Sequence, residues 1–415
     1  FVASPVPAGG RVVVSNLGAF NISTIAAFPL VPKGVKAEPI WGKSTPYLKL
    51  PTVSSPAVAG GLLIFGDGMH QTSGATLHAI RAADGRPVWQ LPLPGKLVHL
   101  EGAPAVIGRH AFTGGGAAGV LCVERDRVTL DGRELDLAAV RKLQDAKWKE
   151  LLAKYEEEKR KDPDFAVPPN EDQLPKPKPA VVWQQGQGKW HVDAPVTAAG
   201  DRLLVCSAFL DREQAGDRAV FCLDARTGKT LWRTPLTYNP WGGASVQGGT
   251  AVVTGSSIGY DYASIRGAKG DVTALDLSTG AVRWRKEVPG GVPGCAALAE
   301  GLAVVTATDG RARAYDLKTG ERRWTYDAKA PVFAPVAVAG DAVYLGDLRG
   351  VVHAVGLARG EPRWRLDLGA DPAVKAPGMI YAGPVVHGGR LVVGTANLAG
   401  PFADKPTALV CIGQP

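Results

Sequence analysis

A chain of 415 residues with 45% hydrophobic and 21% charged residues is too apolar to be disordered and long enough to bury an extensive core. Its formal charge of +8 is scattered through turns and outer strands rather than gathered in a patch, which argues against nucleic acid as a partner. No apolar run reaches the roughly eighteen residues of a membrane-spanning helix, and 52 Gly with 32 Pro suit a fold built of turns.

The chain opens with "ASPVPAGG" at 3–10, which reads as a short innermost strand, and its first repeated unit ends at Trp41. Residues 55–91 spell the unit most plainly: "SPAVAG", "LLIFGD", "TLHAIRA" and "PVWQLPL" are β-rich runs bounded by Gly and Asp, the signals of successive hairpins. One phrase then recurs. A small residue (Ala79, Cys222, Ala274, Ala314, Ala354) precedes a Gly by six positions (Gly85, Gly228, Gly280, Gly320, Gly360), and a Trp follows four later (Trp89, Trp232, Trp284, Trp324, Trp364). Looser copies end at Trp41 and Trp183. A period near forty with about four strands per unit predicts the blades of a β-propeller, because a single blade cannot bury both its faces alone. The expected role of the seven Trp is structural: a large aromatic docked on the Gly turn of a neighbouring blade, with its N–H hydrogen-bonded. The Gly supplies a left-handed turn.

The third unit is interrupted. Between "GVLCVERD" and "AVVWQQ" lie about fifty extra residues, assigned to 127–180. In "LDLAAVRKLQDAKWKELLAKYEEEKRK", Asp136 is placed as an N-cap, and Leu137, Val140, Leu143, Trp148, Leu151, Leu152 and Tyr155 recur at helical spacing. A Pro-rich return strap follows. Two readings stand: an amphipathic helix lying on the propeller's own flank, or a partner-docking arm presenting Trp148, Leu152 and Tyr155. Residues 381–413 supply three strands of an eighth unit. Its outer strand is expected at or upstream of Phe1, the chain being a trimmed piece of a longer product that lacks an initial Met. The expected architecture is therefore all-β: one eight-bladed β-propeller domain over 1–415 with a helical insertion in blade three.

Small residue, Asp, Thr-Gly and Trp at these spacings resemble the PQQ-like, quinoprotein-type repeat family, shared by pyrroloquinoline quinone (PQQ) dehydrogenases and by BamB of the outer-membrane assembly machine, with BamB-like proteins closest in character. The resemblance spans the chain apart from the insertion. It implies a periplasmic or otherwise extracytoplasmic protein, with a signal peptide or lipid anchor expected upstream of Phe1. Fold resemblance does not choose between enzyme and scaffold.

Strand alternation puts the first-to-second and third-to-fourth turns on one face and the longer, varied loops on the other. Binding is expected on that loop face, around the axis. The candidate residues are Trp190, His191, Trp241, Tyr260, Tyr262, Arg266 and Tyr381; Trp190 and Trp241 could stack on a planar ring with Arg266 or Lys269 near a carboxylate, or equally hold a sugar or peptide, or plug the funnel.

Five Cys contain no CxxC, which leaves zinc or dithiol redox chemistry unsupported. Cys122, Cys222, Cys295 and Cys411 stand at positions filled by Ala in other blades and are expected to be small, buried and inert. A cross-strand Cys206–Cys222 disulfide remains open. His70, His78, His99, His110, His191, His353 and His387 show no metal-ligand spacing, no Ser occupies a nucleophile elbow, and "GGG" at 114–116 has no helix after it to cradle phosphate. The marks that the resemblance implies for a PQQ enzyme, a vicinal Cys pair, a Trp floor and a Glu/Asn/Asp calcium set, are not found. The expectation is a non-catalytic extracytoplasmic scaffold mediating protein–protein interaction within a larger assembly, without catalytic residue, metal or cofactor. The alternative is a quinoprotein-like oxidoreductase using PQQ and calcium, or a binder of a sugar or aromatic ligand, for which Glu101, Asp193 and Asp261 would converge on a deep funnel.

Overall fold

The computed structural model describes residues 3–17, 23–31, 34, 36–398 and 405–413. Eight antiparallel sheets follow one another along the chain, spanning 6–43, 57–93, 105–185, 197–235, 244–289, 297–327, 337–367 and 385–412. They are the blades of an eight-bladed β-propeller. Blade two shows the pattern: Ala57–Ala59, Leu62–Gly66, Ala75–Arg81 and Pro87–Leu93 pair in that order, from the axis outward. The second strand is buried throughout, as a strand packed on both faces must be, and it reads as a continuous apolar run rather than an alternation. Blade eight has three strands among the described residues, and the outer strand expected at or before Phe1 lies outside them. Val12 and Leu30 of blade one pack with Val392 of blade eight, and the Gly383 N–H donates to Ser4 Oγ at 3.0 Å, so the ring closes between its first and last blades.

The repeated phrase is the joint between blades. Within a blade the small residue is the cross-strand partner of the Trp, as in Ala79–Trp89, Ala274–Trp284 and Ala314–Trp324. The indole then reaches the next blade: Trp284 donates to Leu317 O at 3.0 Å and Trp324 to Leu357 O at 2.7 Å. Trp41, Trp183 and Trp232 make the same bond to Ala82, Ala225 and Leu277. The Gly of that next blade is required twice over. Gly320 has φ +71°, and a Cβ there would lie 2.6 Å from the Trp284 ring. Three of the turns are tied by an Asp: the Asp316 carboxylate accepts from the N–H groups of Lys318 and Thr319 and from Arg323, and Asp224 and Asp276 accept from backbone N–H groups of their own turns. Trp89 makes the equivalent bond, to Arg125 O of blade three, but is covered by the insertion instead of a Gly turn; Trp364 departs from the pattern, meeting no indole acceptor among the described residues and being 40% exposed.

The insertion begins inside the ladder rather than after it. The third strand of blade three runs on to Leu130, folds back through Arg133–Asp136, and is already paired again at Lys178 and Pro179, so 127–130 and 178–180 belong to the sheet. Helix α1, Leu137–Lys161, is capped by Asp136, which accepts from the Ala139 N–H at 2.7 Å. It lies against the short turns of blade two. Val140 and Gln144 are its buried residues, Val140 packing in the cluster that contains Trp89, and Arg86 pairs with Asp145. The expectation of one stripe docked along the whole helix is not met: Leu143 and Leu152 are exposed, and Trp148, Leu151 and Tyr155 are half-buried. The return strap crosses blade two and reaches blade one, where Lys43 bonds Glu171 at 2.8 Å, and Pro177 O accepts from the Gln90 N–H.

Cys206 and Cys222 do not face each other. Cys206 opposes Val220, and Cys222 opposes Leu204, so the side chains are two positions out of register and both thiols are free. Cys122 and Cys222 are buried as expected of small core residues, but Cys295 is half-buried and Cys411 is exposed, because the blade-eight strand that carries it has no outer neighbour among the described residues.

Candidate functional site

The blade-to-blade connections and second-to-third loops converge on the axis around a cavity of about 670 Å³. Its wall is largely apolar, including Leu17, Val53, Met69, Leu210 and Leu398, and carries Trp241, Tyr260 and Tyr381. Among the described residues that line it there is no Lys or Arg; the charged groups are Glu101 and Asp193, beside His70. Tyr260 donates its hydroxyl to Pro293 O, while the Trp241 N–H and the Tyr381 hydroxyl are buried without a partner. Burial pushes the Tyr381 phenol up to about 12, so it stays protonated.

On one side of this cavity three histidines and an aspartate meet. His70 comes from the loop between the second and third strands of blade two, His99 from the connection of blades two and three, and His191 with Asp193 from the connection of blades three and four. One side-chain ligand atom from each lies within 4.8 Å of all the others, and the rings stand 5.0 to 5.6 Å apart. His99 Nε2 is 3.3 Å from Asp193 Oδ1, and His191 Nε2 is 3.0 Å from Asp193 Oδ2. Neither contact has hydrogen-bonding geometry, so both nitrogens of His99, both of His191 and Oδ1 of Asp193 are buried and unsatisfied. Glu101 stands behind, accepting from the His70 N–H at 2.8 Å with His99 Nδ1 at 3.6 Å. His70 Nε2 also lies 3.7 Å from Glu213.

Backbone packing holds these groups. Gly116 pairs with Val192 in a two-bond bridge, and a Cβ at Gly116 would strike Leu97 O at 2.4 Å and the His99 ring at 2.9 Å. The His191 N–H donates to Ser207 Oγ at 2.9 Å. Electrostatics follow from enclosure. Burial lowers His99 to about 4, against the opposing pull of Asp193, so its ring is neutral at physiological pH. Burial, reinforced by the Asp193 charge, pushes Glu101 up to about 8. The Asp193 carboxyl is raised by burial, but His191, His99 and His70 outweigh that and hold it below the usual carboxylate range.

The sequence-derived candidates divide. His191, Trp241, Tyr260 and Tyr381 come together at the funnel with Glu101 and Asp193. Trp190 does not: its ring packs tilted on Phe221 of blade four with centroids 4.0 Å apart, because the chain turns tightly at Gly186 and tucks it between blades three and four. Tyr262 packs on the cluster of Phe333, Met379 and Tyr381, Arg266 and Lys269 are exposed, and Asp261 caps a short 3-10 helix at Tyr262–Ser264 instead of converging. The histidine cluster escaped spacing rules because its members lie in three separate segments. A signal was nevertheless present: "HLEGAP" at 99–104 and "HVDAPV" at 191–196 repeat a His-x-acid pattern in consecutive blade connections, where later ones read "NPWGGA", "GVPGCA" and "MIYAGP".

Comparison with known proteins fits this architecture. A stretch of 121 residues, 27% of the chain, is 32% identical to the quinohemoprotein alcohol dehydrogenase ADH IIB of Pseudomonas putida, but it spans only 17% of that protein. Among solved structures, BamB from Moraxella catarrhalis superposes with a TM-score of 0.60 at 13% identity, covering 95% of this chain and 91% of that one. The computationally designed Ika8 protein matches with a TM-score of 0.60 at 10% identity over 95% and 92% of the two chains. A europium-containing methanol dehydrogenase gives 0.59 at 16% identity over 94% and 82%. At such identities the likeness is one of fold. The sequence profile described as outer membrane protein assembly factor BamB matches residues 1–140, 176–259 and 216–399, and the chain belongs to that family of PQQ-repeat propellers.

Proposed function

We propose that this protein is a non-catalytic extracytoplasmic propeller that holds a protein partner within a larger assembly, in the manner that membership of an assembly-factor family leads one to expect. The observation that carries this reading is the inserted arm. Helix α1 is anchored through Val140 and Gln144, with Leu143 exposed between them, yet it continues for four further turns with Leu152 exposed, and the strap after it presents Phe165 and Val167 at 80% and 74% exposure. Apolar groups displayed along a projecting helix and strap, with Trp148 and Tyr155 beside them, suit a groove on another polypeptide. No helix among the described residues is long and apolar enough to cross a membrane.

A photo-crosslinking side chain placed at Leu152 or Phe165 in the native host tests this. A discrete heterologous adduct is expected from both sites and not from exposed Val282 of blade five. Adducts from Val282 alone, or none, would refute the reading. Leu152→Glu combined with Phe165→Glu should lower the yield of complex at least tenfold.

A second reading, a small-ligand binder at the funnel, is favoured by the cavity and by the unpartnered Trp241 N–H and Tyr381 hydroxyl. It does not extend to PQQ. That cofactor is a tricarboxylate, and among the described residues that line the cavity there is no Lys or Arg to compensate three buried carboxylates, only the acidic Glu101 and Asp193.

A further inference from the structure

We infer that His70, His99, His191 and Asp193 form a binding site for one divalent first-row transition-metal ion at the rim of the funnel, where blades two, three and four meet. The inference is independent of the partner-docking reading. It rests on two observations. The four ligand atoms lie within 4.8 Å of one another, close enough for small side-chain adjustments to bring them to the roughly 2.0–2.2 Å bonds of a His/carboxylate centre. In addition, His99, His191 and Asp193 are more than nine-tenths buried, yet five of their polar atoms have no hydrogen-bond partner. A folded protein rarely leaves such groups unsatisfied, since a buried polar atom without a partner has lost its water without gaining a replacement. One cation among them would engage a nitrogen of each imidazole and a carboxylate oxygen at once.

The donor set selects the ion class. Three imidazole nitrogens and one carboxylate oxygen suit zinc, copper, nickel or iron, whereas calcium and magnesium prefer all-oxygen shells. The surroundings support the ligands as a metal centre requires. Glu101 lies 3.6 Å from His99 Nδ1, on the ring nitrogen away from the Asp193 contact, so that it can orient the imidazole. The Gly116–Val192 bridge fixes the two connections at their separation. His70, the half-exposed member, faces the cavity and leaves a side from which a water or a small ligand could reach the ion.

The test uses the full chain, stripped with a chelator and dialysed against Zn²⁺ and, separately, Co²⁺. One equivalent of zinc per chain is expected, with a Co²⁺ visible spectrum of low-symmetry, four- or five-coordinate character. His70→Ala should weaken zinc binding at least tenfold while leaving the metal-free melting temperature unchanged, because that ring is half-exposed; Asp193→Asn should do so more strongly. His387→Ala, outside the cluster, should bind as the parent does. Absence of stoichiometric binding by the parent, or binding that His70→Ala and Asp193→Asn both leave unaltered, would overturn the assignment. Crosslinking of the inserted arm in His70→Ala distinguishes the two proposals, since the arm's partner should still be captured.

Discussion

Trp284 and Trp364 occupy the same place in the repeat, yet their replacement by Ala should cost different amounts. An indole removes about 200 Å² from water, worth about 5 kcal/mol at 25 cal/mol per Å². Trp284 is 7% exposed and realises nearly all of that, while Trp364 at 40% realises about 3 kcal/mol. Trp284→Ala also strands Leu317 O, which now accepts its N–H, adding about 1 kcal/mol. Trp364 has no such acceptor among the described residues. The two variants should therefore differ by about 2–3 kcal/mol, a difference in which the unfolded-chain reference cancels. Urea unfolding followed by far-ultraviolet circular dichroism measures it, with Trp284→Ala showing the lower midpoint at unchanged slope. Equal losses at the two sites would refute the view that each Trp stabilises through the next blade's turn.

Gly320→Ala should destabilise by about 2–3 kcal/mol, since it combines φ +71° with a Cβ 2.6 Å from the Trp284 ring, whereas Gly301→Ala, at φ +72° with nothing within 4 Å, should lose only the backbone term of about 1 kcal/mol; thermal unfolding of the pair checks this. Val140→Ala should cost about 1–2 kcal/mol and expose the Trp89 joint to quencher, while Leu152→Ala should stay within about 0.5 kcal/mol of the parent. The turn carboxylates predict an acid limb. Hydrogen bonds from Arg323 and from the N–H of Thr319 lower Asp316 to about 2, while the Thr227 hydroxyl and N–H lower Asp224, and the Ser278 hydroxyl with Arg283 lowers Asp276. A carboxyl depressed in the folded state contributes stability above its unfolded pKa of about 4 and loses it as pH falls toward its folded value. The melting temperature should fall between about pH 4 and pH 2, and Asp316→Asn should make that fall shallower; an equally steep limb in the variant would count against the assignment.

The ring itself was legible in the sequence because its stabilising contact is local and repeated. A Gly that must adopt positive φ and a Trp four residues later are both visible in "DLSTGAVRW" and "DLKTGERRW", and the docking they make is the same in successive blades. The helix N-cap at Asp136 was legible for the same reason, since a cap is satisfied within three residues. How far the helix would dock was not. Hydrophobic spacing marks a stripe, but the surface offered by blade two ends near Gln144, and beyond it the same stripe meets solvent.

At the axis, local order stops being informative. Trp190 and His191 are adjacent in sequence, yet a tight turn at Gly186 sends one ring onto Phe221 and the other toward His99 and Asp193. His70, His99 and His191 share no spacing because they arrive from three segments that only the stacking of blades two, three and four brings together. Sequence alone determined that this chain is an eight-bladed propeller of the PQQ-repeat kind, since each joint is written where it acts. Tertiary structure alone decided which side chains meet in the funnel, because the central axis gathers one loop from each blade, and the direction each side chain takes there depends on neighbours far away in the chain.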